Sequence, residues 1–296
     1  MNQWQFHIDL LQAGDFKTLA RCISLVENEA DGYEILLQSL PLAHAHIAGV
    51  TGPPGAGKST LVDGLISLMV HDNKKVAVLC VDPSSPFNLG ALLGDRIRMS
   101  EWYNNPNVYI RSLATRGSLG GLHPKIIEIT DLLKAAKFDC IIIETVGVGQ
   151  SEIEIAGLAD TTVVVVVPEA GDEIQTMKSG LMEIADLFVV NKADRPEADM
   201  FVKNLRLMLA PAFHKKENPI PVLKTIASQK TGIDELYKAI LNPIHHNDER
   251  KSWLLAEKAF QLIQKKRMND IDKNDLKNKI EEAGDEFNLY RFVKNY

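Results

Sequence analysis

Nine residues constrain this chain more than any others. Gly52-Pro53-Pro54-Gly55-Ala56-Gly57-Lys58-Ser59-Thr60 fits the phosphate-binding loop G-x-x-x-x-G-K-[ST]. Such a loop works only between a strand and a helix, and both flanks are present. The apolar run 46–50 reads as a buried strand, and 61–69 reads as a helix. Glycines let backbone N–H groups curl around a polyphosphate, and the following helix N-terminus adds partial positive charge. Lys58 is expected to reach the β- and γ-phosphates, and Ser59 to bind Mg²⁺. Gly52, Pro54, Gly55, Ala56, Gly57 and Thr60 complete the expected phosphate cradle.

A second segment bears on the base. Leu187-Phe188-Val189-Val190 is strand-like and runs into Asn191-Lys192-Ala193-Asp194, an N-K-x-D pattern at a strand's carboxyl end. Open α/β sheets place ligands there. The Asp194 carboxylate can accept both N1–H and N2–H of guanine, a donor pair that adenine lacks. Leaving a buried carboxylate unpaired is costly, so discrimination is expected. The Lys192 stem can lie along the base and pack on the loop. Alone, the four letters are a weak match. About 130 residues after a phosphate loop, they point to GTP and GDP.

With 296 residues and 45% apolar content, there is room for one large α/β domain with appendages. The net charge of −6 gives no sign of bulk nucleic-acid or anionic-membrane binding. Cys22, Cys80 and Cys140 lie far apart, form no metal pattern, and suit a reducing compartment. No signal peptide and no apolar run of membrane-spanning length is evident, so a soluble cytoplasmic protein is expected.

Residues 1–44 read as an N-terminal helical segment. Gly14-Asp15 looks like a stop and an N-cap, and Asp31 to Glu34 resembles a capping box. Residues 45–243 alternate strands (46–50, 76–81, 107–111, 139–143, 162–167, 187–190, 220–223) with helices (61–70, 123–136, 173–184, 197–209, 233–241). That predicts an α/β fold, a doubly wound and mostly parallel sheet covered on both faces. Residues 244–296 are charged and helical. Trp253, Ala256, Phe260 and Ile263 recur at helical spacing, as suits a cap on the domain or a dimerisation arm.

Three further segments carry polar residues at strand ends: V-D-P-S-S from Val81 followed by G-D-R-I-R-M from Gly94, A-T-R-G-S-L-G-G from Ala114, and E-T-V-G-V-G-Q from Glu144. In this combination the chain resembles, over its whole length, the MeaB/ArgK family, P-loop GTPases that act as chaperones of adenosylcobalamin-dependent acyl-CoA mutases. The resemblance implies that Asp82 and Asp95 belong to the Mg²⁺ site of a first switch. It implies that Glu144 reaches Mg²⁺ through a water, and that the Gly147 N–H meets the γ-phosphate. On residue chemistry alone Asp82 reads equally as a turn former and Asp95 as a helix N-cap. The resemblance also implies that Asp172, Gln175 and Lys178 lie in a third switch coupling nucleotide state to the mutase. The residues themselves suggest only a strand–helix loop, with Asp172 as cap and Lys178 on a solvated face.

One departure concerns the last base loop. The family has T-S-A or S-A, whereas this chain has Lys224-Thr225-Ile226-Ala227-Ser228. The Ala227 N–H can still meet guanine O6. The implied reaction is slow hydrolysis of GTP to GDP and phosphate, with Lys58, Glu144 and Asp82 in the catalytic set. The implied partner is methylmalonyl-CoA mutase or a relative, and the implied state is a homodimer. No residue declares itself as the group positioning the attacking water. Gln150 lies near the second switch, and Arg96, Arg98, Arg111 and Arg116 are candidate charge stabilisers that also read as structural. Two other readings stay open: a metallochaperone GTPase, for which His44, His46, His245 and His246 are the only clusters, and an ArgK-like kinase of a transport protein.

Overall fold

Seven apolar runs rich in β-branched residues become seven strands, as their side chains suit a sheet buried on both faces. A computed structural model describes residues 4–82, 99–115, 122–145, 151–170, 180–209, 219–243, 248–268, 270–284 and 287–294. The strands are β1 (His46–Thr51), β2 (Val76–Asp82), β3 (Val108–Ala114), β4 (Cys140–Glu144), β5 (Thr161–Val166), β6 (Leu187–Val190) and β7 (Val222–Lys224). Their order is β3-β2-β4-β1-β5-β6-β7, and every pairing is parallel. β1 lies between β4 and β5, where the winding changes direction. Ligands of such sheets sit at the carboxyl edge of that position.

The first unit, Met1–Arg250, carries nine described helices: α1 (Gln5–Gln12), α2 (Phe16–Glu27), α3 (Tyr33–Gln38), α4 (Lys58–His71), α5 (Ile126–Ala135), α6 (Ser151–Leu158), α7 (Gly180–Ile184), α8 (Ala198–Leu209) and α9 (Ile233–Leu241). Alternation along β5 splits the core in two. Val163 and Val165 join Leu61, Leu65, Ile233 and Leu236 of α4 and α9. Val164 and Val166 join Phe188, Phe201 and Leu205 on the other face. The four valines are wholly buried, each contributing about 1.5–3 kcal/mol of transfer free energy.

The N-terminal helices are an integral layer. Asp15 caps α2, accepting from the Lys17 N–H at 3.0 Å and the Thr18 hydroxyl at 2.7 Å. Phe16 then packs on Tyr109 and Phe138, with ring centroids 5.5 and 5.9 Å away. The capping box expected at Asp31 does not form. Gly32 holds the N-cap position of α3 with φ of 88° and no side-chain cap bond, because the left-handed turn leaves the cap to glycine. Helix α6 lies between the strands expected at 139–143 and 162–167, where the sequence reading names no helix, and the expected helix 123–136 begins at Ile126.

The second unit, Lys251–Tyr296, is helical. It takes most of α10 (Asp248–Arg267), α11 (Lys273–Ala283) and α12 (Leu289–Val293). Asp272 caps α11, accepting from the N–H groups of Asn274 and Asp275. Trp253, Phe260 and Ile263 are exposed at 72%, 62% and 53%. Among the described residues no helix is long and apolar enough to cross a membrane.

Candidate guanine nucleotide site

Strand register assembles the site. β1 and β4 pair so that Val50 lies beside Glu144, which puts that carboxylate next to the start of the phosphate loop. β2 ends at Asp82, level with Ala114 of β3. On the other side, Val190 pairs with Lys224, so the turn after β6 and the loop after β7 emerge together. All these residues lie at the carboxyl edge. A cavity of about 390 Å³ opens there, lined by the phosphate loop, Val81, Asp82, Glu144, Thr145 and Lys192.

The loop accepts only glycine at two places. A Cβ on Gly52, at φ 138°, would come within 2.0 Å of the Val165 carbonyl oxygen. A Cβ on Gly57, at φ 89°, would come within 2.4 Å of Asn191 Nδ2. Helix α4 starts at Lys58, and its first residues, Lys58, Ser59 and Thr60, line the cavity. Lys58 is 6% exposed, and a buried ammonium needs partners. Its Nζ donates to the carbonyls of Gly52 at 2.8 Å and Pro53 at 3.0 Å. A phosphate oxygen would offer it a charged acceptor in the same place, and charge-assisted bonds are the stronger ones.

Ser59 donates its hydroxyl hydrogen to Glu144 Oε1 at 2.7 Å. With the hydrogen committed, the oxygen's lone pairs face away from the carboxylate. A hydroxyl oxygen backed by one buried carboxylate, with half-buried Asp82 beside the same cavity, is an all-oxygen donor set that fits Mg²⁺. Thr145 braces the floor, donating its hydroxyl to Thr51 Oγ1 at 2.8 Å. Only their positions at strand ends mark this pair in the sequence.

On the base side, Asn191 is a three-way clasp, buried to 2% exposure. Its Nδ2 donates to the Ala56 carbonyl at 2.8 Å, while its Oδ1 accepts from the Thr225 hydroxyl and the Ala227 N–H, both at 3.1 Å. The Ala227 N–H, which sequence reasoning aims at guanine O6, is thus given to Asn191 here. Lys192, at φ 57°, donates from Nζ to the Gly55 carbonyl at 2.8 Å. That meets the expectation that this side chain packs on the loop. Asp194 is exposed on the turn beyond. Thr225, absent from the sequence candidates, is 1% exposed and closes the clasp.

Arg111 stands apart from the cavity. It pairs with Glu27 and donates to Ser24 Oγ at 3.1 Å, fixing the N-terminal layer. Asp95, Gly147, Asp172, Gln175 and Lys178 lie outside the described residues, as do Gln150, Arg96, Arg98 and Arg116.

A parallel sheet with a phosphate loop after its central strand and an Asn-Lys-x-Asp turn clasped to that loop defines a P-loop GTPase. The comparisons place it more narrowly. The family described as methylmalonyl-CoA mutase-associated GTPase MeaB matches residues 19–285. The chain belongs to that family. A Pyrococcus horikoshii protein named as a GTPase is 46% identical over 262 residues, 87% of this chain and 82% of that one. A Geobacillus kaustophilus protein named fused isobutyryl-CoA mutase is 34% identical over 275 residues, 87% of this chain but 25% of that much longer protein. A crystal structure described as LAO/AO transport system kinase superposes with a TM-score of 0.68 at 25% identity, covering 100% of this chain and 97% of that one.

Proposed function

We propose that this protein binds GTP with Mg²⁺, hydrolyses it slowly to GDP and phosphate, and uses the cycle to gate adenosylcobalamin loading of an acyl-CoA mutase. The observation that carries the nucleotide part is the Asn191 clasp, which joins phosphate loop, base turn and last loop into one site. Bound Mg²⁺ would neutralise phosphate charge. Ser59 would hold it directly, with Glu144 and Asp82 acting around it. Lys58 would turn from the loop carbonyls to the phosphates, and Asp194 would accept the two guanine N–H groups. Asp95 and Gly147 are proposed for Mg²⁺ and the γ-phosphate. Asp172, Gln175 and Lys178 are proposed for coupling to the partner.

Support for a mutase partner comes from the family and from the relative named fused isobutyryl-CoA mutase, in which a segment like this chain shares one polypeptide. Residues 45–243 would then be the GTPase core, with 1–44 as a helical segment on it. The exposed aromatic face of α10 suits a homodimerisation arm in 244–296. Cys22, Cys80 and Cys140 are buried and in no disulfide, which suits a cytoplasmic setting. The structural relative described as a transport system kinase favours a second reading, phosphate transfer to a protein. For a metallochaperone role the described residues offer no group of three or more His, Cys, Asp or Glu that could hold a metal ion, and His245 and His246 lie outside them.

The test pairs Asp194→Asn with xanthosine triphosphate. The amide can donate to xanthine O2, so the variant should lose GTP and gain xanthosine triphosphate. An unchanged GTP preference would sink the base assignment. Free phosphate as the sole product, released faster when a cognate mutase is added, supports the switch. Radiolabel transferred to protein would favour the kinase.

A further inference from the structure

Asp194 carries the base discrimination, yet it stands in the most exposed part of the site. Residues 194–197 are all exposed, between Asn191, buried at one end, and Ala198, buried at the start of α8. Backbone geometry sets the turn's shape: Lys192 and Glu197 take φ of 57° and 67°, and the Arg195 N–H donates to the Lys192 carbonyl at 3.0 Å. Shape alone does not fix its place over the cavity. Ties to neighbouring loops do that. Lys192 reaches the Gly55 carbonyl, and the Ala193 N–H donates to the Thr225 carbonyl at 3.0 Å. On the far side of Asp194, the Arg195 guanidinium pairs with Glu169, which follows β5. Both chain neighbours of Asp194 are therefore tethered, to two different loops.

We propose that the Arg195–Glu169 pair is a specificity-determining device that positions Asp194 and keeps its carboxylate available for guanine. The inference rests on the guanine reading above. Arg195 is the next residue after Asp194, and a guanidinium released from Glu169 is drawn to the nearest carboxylate. An Asp194 already paired in a bidentate fork would be a poorer acceptor for the two base N–H groups. Glu169 prevents that by offering a competing carboxylate from the turn after β5. Hydrogen bonding from Arg195 is the main influence holding the Glu169 carboxyl below its usual range, as befits an ion pair between the two. Both side chains are about half exposed, at 42% and 52%, so the pair adds little to global stability. Its effect belongs at the base.

The test uses the full chain and inosine diphosphate, whose base lacks the 2-amino group that would donate to Asp194. Calorimetric affinities for GDP, IDP and ADP with Mg²⁺ are compared in wild type, Arg195→Ala, Glu169→Ala and the double variant. Glu169→Ala should lower the GDP-to-IDP preference by about threefold to fivefold, the range open to an exposed pair. The double variant should recover to the level of Arg195→Ala, since no guanidinium is left to occupy Asp194. A general loosening of the fold would weaken all three nucleotides together and would not be rescued. An unchanged GDP-to-IDP preference in Glu169→Ala, or effects that multiply in the double variant, would overturn the device. A wild type that binds ADP as well as GDP would instead overturn the guanine reading beneath it.

Discussion

Replacing Asn191 by alanine should do more damage than its single amide suggests. Three groups lose their partner at once: the Ala56 carbonyl, the Ala227 N–H and the Thr225 hydroxyl. The hydroxyl can rotate to another acceptor. The two backbone groups cannot, and the site is 2% exposed. An orphaned buried polar group costs about 1–3 kcal/mol. Two of them, eased by water entering from the cavity, give a loss of about 3 kcal/mol. With a urea slope near 3 kcal/mol/M for a unit of this size, the unfolding midpoint should fall by about 1 M. Far-UV circular dichroism against urea would follow it. GDP affinity should fall alongside, because phosphate loop and base turn lose their common register. A midpoint within about 0.2 M of wild type would refute the reasoning, since it would mean the clasp contributes no more than a surface contact.

Gly52→Ala should fail to make a stable nucleotide-binding protein, because its Cβ would fall 2.0 Å from the Val165 oxygen at a φ of 138°; normal expression, melting and GDP binding would contradict this. Lys58→Ala should weaken GDP binding at least tenfold to a hundredfold, the worth of one or two charge-assisted bonds, and titration calorimetry measures it directly. Thiol reactivity should be low in the native protein. Burial pushes the Cys22 thiol up to about 11 and the Cys140 thiol up to about 12, and the thiolate is the reactive form. Rapid labelling of both by a disulfide reagent at pH 8 without urea would show the burial to be wrong.

Legibility in the sequence followed the strength of local signals. The seven strands were readable because Val and Ile runs such as 163–167 have no comfortable place except a central parallel strand. The phosphate loop and Asn191-Lys192-Ala193-Asp194 were readable because their chemistry dictates residue type and spacing. Helix α6 was not. It has eight residues with no clear one-sided pattern, since it is packed tightly enough to bury Ile155 and Ala156, and it follows a glycine-rich run. The false capping box had correct spacing, yet a glycine between Asp31 and Tyr33 chose a left-handed backbone that the spacing rule does not see. Long-range partners were invisible as well. Nothing in the chain announces that Trp102 Nε1 donates to Asp63 Oδ1 at 2.7 Å, docking the turn at Ser100–Trp102 onto α4. Nor does it announce that Asn191 would claim the Ala227 N–H, because such bonds depend on which strands become neighbours.

A site that turns over guanine nucleotide must release phosphate from GTP, and must do so through Lys58. The purified protein is incubated with Mg²⁺ and either GTP or ATP, beside the Lys58→Ala variant. Phosphate release should be slow from GTP, far less from ATP, lost when Mg²⁺ is chelated, and absent above background from the variant. Equal release from ATP, or release from GTP that survives in Lys58→Ala, would contradict it.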